Sequence, residues 1–308
     1  MTKMRINVVI TITPELAAKN EVADYLDLSD ACQNRGIRLY QANTYHLNDA
    51  ADQETIRQFQ IDIAFVNGWQ RLLPKSILQG FRLGAFGMHG SAQNLPVGRG
   101  RSPMNWSLIE GKTHFFTNLF RYDAGIDSGD ILDTHVFSIQ SADTAETLHF
   151  KNTLAMSQLI LKNINPLLEG KFSLSKQADL PPTYYPKRSP ADSIIDWRRD
   201  IHFLHRFIRA VAPPFNGAFS YINRKKITLL RAEIFETDIA EHGFTQSKPG
   251  RVVAVFPGQK FLVRVNGGLL IVHDFLYCEP VITGMLLSSP EQEIRCFPVN
   301  AAGGYDLP

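Results

Sequence analysis

The feature that most limits what this chain can fold into is the order of its first apolar runs. Ile6 to Ile12, Gly36 to Tyr40 and Ile61 to Val66 are short and β-like, and helical stretches near Asp24 to Arg35 and Asp52 to Phe59 separate them. Strand and helix in alternation build parallel βαβ units, because parallel neighbours need a crossover that a helix supplies. Ile61 to Val66 is apolar apart from Asp62, the texture of a strand covered on both faces. The prediction is an α/β domain with a Rossmann-like, mostly parallel sheet and helices on both faces. Ligands of such sheets sit outside the carboxyl ends of the strands, so chemistry is expected after Val66 and after Phe86.

Phe115 to Tyr122 predicts a further strand, followed by the acidic turn Asp123 to Asp130. Asp143 and Glu146 have capping-box spacing and open a helix that reaches Gly170. Leu180 to Pro190 holds four prolines and reads as a linker, and a helix follows over Asp200 to Val211. Five β runs come next: Ala218 to Ile222, Lys226 to Leu230, Arg251 to Phe256, Phe261 to Val265 and Leu269 to Val272. They predict a small OB-like β domain. The expected boundaries are 1–180 for the Rossmann-like domain, 181–215 for the linker and helix, and 216–308 for the OB-like domain.

Charge narrows the partners. The 308 residues carry 32 basic and 30 acidic groups, and Gly217 to Pro308 carries nine of each, so no general field is present to hold a nucleic-acid backbone and such binding would need a local patch. The apolar start reads as a strand rather than a leader, and no run approaches the ~18 residues of a membrane span. Cys32, Cys278 and Cys296 are widely spaced and lack a CxxC pair, which fits a reducing cytoplasm. His46, His202 and His205 have no carboxylate at metal-ligand spacing, so no metal is expected.

The densest motif follows the strand that ends near Phe86. His89 stands just past it, and Leu95-Pro96, Arg99-Gly100 and Arg101-Ser102-Pro103-Met104-Asn105-Trp106 come after. Asn67 to Pro74 (NGWQRLLP) precedes it, and Asp127-Ser128-Gly129-Asp130-Ile131-Leu132 follows. In this order the three pieces resemble the folate-site loop, the histidine motif and the acidic motif of the 10-formyltetrahydrofolate-dependent formyltransferases. Pro186-Lys187-Arg188, Asp196-Trp197, Ile208-Arg209-Ala210 and Pro249-Gly250 extend the resemblance over nearly the whole chain. It implies 10-formyltetrahydrofolate as formyl donor, held by Gly68, Trp69, Gln70, Arg71, Leu72 and Leu73 on one side and by the turn Phe120 to Asp127, with Asp123, on the other. Leu72 and Leu73 would form the apolar wall of that pocket.

Formyl transfer to an amine passes through a tetrahedral oxyanion, so it needs a hydrogen-bond donor in a dry pocket and a base for the amine proton. The resemblance implies that His89 and Asp127 do this as a unit, with Asp127 orienting the imidazole. The family's asparagine two residues before the histidine is absent, and Gly87 stands there. Asn118, on the next strand, is the candidate for the missing amide.

The stretch Arg101 to Trp106 is similar to the Arg-x-Pro-x-Asn-Trp of the aminoarabinose-type sugar-nucleotide formyltransferase. That likeness implies a nucleotide-linked amino sugar as acceptor. Its pyrophosphate would meet Arg99, Arg101, Lys187 and Arg188, and its base and sugar would meet Asn105, Trp106 and Tyr185, between the domains. Methionyl-tRNA formylation and a catalytically silent folate- or nucleotide-binding role stay open as alternatives. So does pairing into a homodimer.

Overall fold

The structure, a computed structural model, describes residues 5–22, 25–237, 247–301 and 303–305. In chain order it runs β1 (Val8–Ile12), α1 (Pro14–Lys19), α2 (Ser29–Gln33), β2 (Arg38–Ala42), α3 (Ala50–Gln58), β3 (Ile63–Val66) and α4 (Lys75–Leu78). The middle holds β4 (Gly84–Ser91), β5 (Arg99–Gly100), α5 (Pro103–Ile109), β6 (His114–Arg121), β7 (Ile131–Ser138) and α6 (Ala145–Leu168). The last part holds β8 (Tyr184–Tyr185), α7 (Ile201–Val211), β9 (Ala218–Ile222), β10 (Lys225–Phe235), β11 (Val252–Val255), β12 (Phe261–Val265) and β13 (Gly268–Leu276). Among the described residues no helix is long and apolar enough to cross a membrane.

The chain divides into two compact units. The first is Met1–His89, Thr117–His135 and Ala155–Leu180; the second is Gly90–Phe116, Val136–Leu154 and Pro181–Pro308. In the first, β1 and β2 pair in parallel, and so do β3 and β4. β4 is the second strand of a four-stranded sheet of order β3-β4-β6-β7. Ala85 and Phe86, adjacent on β4, enter different apolar clusters: Ala85 joins Ile56, Leu73, Ile77 and Phe81, and Phe86 joins Leu119, Leu159 and Leu167. Successive strand residues point to opposite faces, so β4 is covered on both; on β3, whose apolar texture predicts the same, Ala64 and Val66 pack against the first cluster and Ile63 and Phe65 against the second.

Local structure departs from expectation at three places. The helix predicted from Asp24 to Arg35 forms only over Ser29–Gln33, its expected start at Asp24 lying outside the described residues. An additional helix, α1, follows β1 directly, because Thr13 Oγ1 accepts the Leu16 N–H and Pro14 occupies the first helical position. The cap of α6 sits one residue later than the Asp143/Glu146 spacing suggests. Thr144 and Thr147 exchange backbone-to-hydroxyl bonds of 2.9 and 3.4 Å. Asp143 is drawn away from capping by the Gln140 N–H, the Thr147 hydroxyl and the Lys151 ammonium.

In the second unit β5 pairs in parallel with β8, and β9 to β13 form an antiparallel sheet of order β11-β12-β13-β10-β9. β10 runs past the predicted end at Leu230, since Arg231 and Glu233 point to solvent while Ala232 is buried, keeping the period of two. α7 starts where predicted, with Asp200 Oδ1 accepting the Phe203 N–H at 2.9 Å, and buries Ile201, Leu204, Phe207, Ile208 and Val211.

Candidate active site

β4 delivers His89 near its carboxyl end, in the first unit, with the side chain nearly buried. Asp127 comes to it from the turn between β6 and β7: Oδ2 lies 3.5 Å from His89 Nδ1, with side-chain exposures of 9% and 19%. That is the outer edge of hydrogen-bond reach, a separation common where substrate is absent. It is Nδ1 of the ring that faces the carboxylate.

The turn is built to hold this pose. Asp127 has φ 48°, a left-handed conformation that costs a non-glycine residue and is kept only where neighbours enforce it. Gln177 Nε2 donates to the carbonyls of both Asp127 (2.7 Å) and Gly129 (2.8 Å). Asp123 Oδ1 accepts from the Gly125 N–H (3.0 Å) and the Ser128 hydroxyl (2.6 Å). A Cβ on Gly129 would lie 1.7 Å from the Arg121 carbonyl oxygen, so only glycine lets the turn close there. Asp123, expected to meet the folate, is thus the clasp of the turn, and one of its carboxylate oxygens is already taken.

The place vacated at Gly87 is filled, though not by Asn118. A Cβ built there would lie 1.9 Å from a ring carbon of Tyr122, whose ring stacks on Phe120 with centroids 5.2 Å apart. Asn118 is fully buried on β6 instead. Its Oδ1 accepts the Thr134 hydroxyl at 2.7 Å, which fixes the amide, and its Nδ2 is buried with no hydrogen-bond partner. Burial and the charge of Asp127 push the Tyr122 phenol well above the usual tyrosine range, so it keeps its proton. Sequence reasoning missed Tyr122 and Gln177. The signal for Tyr122 was the glycine itself, since a buried strand position without a side chain implies a bulky neighbour.

The loop after β3 turns at Gly68, with φ 68°. The Gln70 N–H donates to the Tyr45 hydroxyl at 3.1 Å, the Arg71 guanidinium lies 4.6 Å from the Tyr45 ring centroid, and Trp69 meets the same ring edge-on at 5.2 Å. Trp69 Nε1 is buried without a partner. The expected apolar wall divides in two. Leu72 is 51% exposed, whereas Leu73, at 7%, belongs to the cluster of Ile77 and Phe81. Leu73 is therefore core rather than pocket lining, because the side chain reaches inward to cover α4.

The residues expected at the acceptor fall in the second unit. The parallel pair β5–β8 brings the Arg99 and Arg101 segments beside Tyr184 and Tyr185: Arg99 N–H bonds Thr183 O at 2.9 Å and Arg101 N–H bonds Tyr185 O at 2.8 Å. Both arginines are half-buried and Lys187 is exposed. The others are built into packing and offer no open face. The Asn105 amide donates to Ala210 O (2.7 Å), and Trp106 Nε1 donates to Pro186 O (2.9 Å). Tyr185 and Tyr305 both donate to Glu110, at 2.8 and 2.9 Å. Trp106 is stacked by Tyr185 and met by Phe297 and Tyr305. Arg188 lies 4.9 Å from the Trp106 ring centroid, and burial pushes its pKa down to about 10. The aromatic platform expected for a base is a closed core cluster.

Comparison with known proteins adds the following. The sequence matches the formyl transferase domain over residues 3–164 and the formyl transferase C-terminal domain over residues 187–275. HypX from Aquifex aeolicus, solved in complex with tetrahydrofolic acid, matches 87% of this chain at TM-score 0.62 and 16% identity, and the chain spans 44% of that protein's length. An N-formyltransferase from Helicobacter canadensis, solved with folinic acid and dTDP-3-aminofucose, matches 88% of this chain and 99% of its own at TM-score 0.58 and 18% identity. Methionyl-tRNA formyltransferase from Clostridium thermocellum matches 75% and 94%, at TM-score 0.54 and 22% identity. At these identities the likeness is one of fold.

Proposed function

The chain belongs to the formyl transferase family, and from that premise we propose that it moves a formyl group from 10-formyltetrahydrofolate to the amine of a nucleotide-linked amino sugar, in the cytoplasm and without a metal. The observation that carries the reading is the buried His89–Asp127 pair, 3.5 Å apart at the carboxyl end of β4. A silent binding protein would have no use for a carboxylate held by a strained turn against an imidazole.

The residues divide the work as follows. The acceptor's amine lone pair forms the new C–N bond to the formyl carbon while the carbonyl π pair moves onto oxygen. His89 takes the proton that the amine nitrogen sheds, and Asp127 stabilises the resulting imidazolium. When the oxyanion collapses, C=O re-forms and the bond from carbon to N10 breaks with its electron pair on nitrogen. His89 returns the proton there, leaving a formamide and tetrahydrofolate. Asn118 is proposed as an amide donor near the reacting carbonyl. Its unpartnered Nδ2 costs about 1–3 kcal/mol when buried, which an incoming oxygen would recover. The loop Gly68 to Leu72 suits the folate, since it leaves Trp69 Nε1 unpartnered and Leu72 exposed.

For the acceptor, the half-buried Arg99 and Arg101, with the exposed Lys187, are proposed to meet the pyrophosphate, while Asn105, Trp106, Tyr185 and Arg188 hold the backbone that presents them. The balance of nine basic and nine acidic residues over Gly217 to Pro308 supports a small acceptor over tRNA. The test is release of tetrahydrofolate from 10-formyltetrahydrofolate, with dTDP-3-aminofucose and other amino sugar nucleotides in one arm and charged initiator tRNA in the other. Turnover confined to the sugar arm is expected. Turnover confined to tRNA, falling steeply with salt, would replace the acceptor, and binding of folate without turnover on any amine would replace the enzyme by a binding protein.

A further inference from the structure

Gly87 and His89 lie two apart on β4 and so share one face of the strand. On that face Gly87 makes room for one group, the Tyr122 ring, which approaches a built Cβ to 1.9, 2.8 and 2.9 Å through three ring atoms including Cζ, the carbon that bears the hydroxyl. Phe120 covers a face of the same ring, nearly parallel to it at 14°, while Gly87 meets its edge. The glycine and the tyrosine are thus one fitted pair, next to the histidine. Any side chain at 87 would evict the ring.

The reaction puts a developing negative charge on the formyl oxygen, and the His89–Asp127 pair supplies a base and a counter-charge but no neutral donor for that oxygen. We propose that the Tyr122 hydroxyl is a catalytic hydrogen-bond donor to the formyl oxygen, standing where a side chain at 87 would otherwise reach. Among the described residues none hydrogen-bonds this hydroxyl, so its proton is available. The phenol's raised pKa keeps it neutral through the working pH range, and a neutral, rigid donor in a poorly solvated place stabilises an oxyanion without reorganising. Asp127 lies close enough to act on it electrostatically, which ties the phenol, the carboxylate and the imidazole into one cluster. Asn118 acts from the neighbouring strand; Tyr122 acts from above Gly87.

The proposal rests on the formyl-donor reading, and the experiment separates the two. A non-transferable 10-formyl folate analogue is bound to the protein and the formyl C=O stretch followed by infrared difference spectroscopy. In the wild type the stretch should fall below its value in free analogue. In Tyr122→Phe, which keeps the ring on Phe120 and over Gly87, it should return toward the free value, and turnover should drop about 10²- to 10³-fold with the folate KM little changed. Gly87→Asn alone should collide with the ring and lose activity, whereas Gly87→Asn combined with Tyr122→Ala should regain part of the carbonyl shift. An analogue that fails to bind the wild type removes the formyl-donor reading and this proposal with it. An analogue that binds with a stretch indifferent to Tyr122→Phe overturns the role of Tyr122 alone.

Discussion

The surroundings of His89 and those of Trp106 look alike as sequence: each carries glycines and an aromatic residue in a short stretch. Their polar groups are treated in opposite ways. Around Trp106, the indole N–H, the Asn105 amide and the hydroxyls of Tyr185 and Tyr305 each meet a protein acceptor, and Glu110 takes two of them. Around His89, Asn118 Nδ2 is buried without a partner, as is Trp69 Nε1 in the loop of the same unit. A buried polar group left unmatched costs stability, so a fold keeps one chiefly where something else will meet it. The contrast holds between these two places and is not a rule for the molecule, since Tyr25 Oη and Arg209 Nε are also buried without a partner.

The sharpest way to break this contrast is to delete one group from each region. His89→Ala should lower kcat by about 10²- to 10⁴-fold while urea unfolding stays within about 1 kcal/mol of wild type. Trp106→Ala should do the reverse, costing about 3–5 kcal/mol of stability through the cavity and the stranded Pro186 carbonyl. A stable Trp106→Ala protein that had lost only its acceptor would return Trp106 to the binding face. A smaller effect tests the edge of the second region: Arg101→Ala should raise the apparent KM of an amino sugar nucleotide roughly tenfold and leave that of the folate alone.

The smallest effect is a pH dependence confined to the structural region. Burial, then the charge of Arg209, pushes the His205 pKa down to about 4 from the ordinary 6.5. The folded protein holds this ring neutral, so between pH 6.5 and about 4 the unfolded chain binds a proton that the folded chain does not. Stability is therefore full above 6.5 and falls as pH drops through that window. Solvent screening of the half-buried ring limits the change to about 1 kcal/mol, seen as a shallower fall of Tm with acid in His205→Gln.

How far the sequence can be read follows from the range of the forces involved. The strands of the first half, α7 and the pairing of His89 with Asp127 are legible because they rest on local periodicity and on motifs in order. β9 and β12 appear with the predicted bounds. Less legible is whatever depends on who sits across a sheet. Leu72 and Leu73 are indistinguishable as letters, yet one faces solvent and one the core. Asp143 has the spacing of a cap and is diverted by Lys151, eight residues on. Asp123 reads as a ligand and closes its own turn through Ser128. Gly87 reads as a loss until Tyr122 is seen filling it.

The tie made by Gln177 also has a meaning in time. Asp127's left-handed pose is braced in part by a side chain 50 residues downstream that bonds its carbonyl. On a ribosome adding about 5–20 residues per second, that interval is roughly 3–10 s. Through it the nascent chain holds His89 and Asp127 but lacks this brace on the turn. The support of the His89–Asp127 pair is therefore completed late, after α6 has emerged.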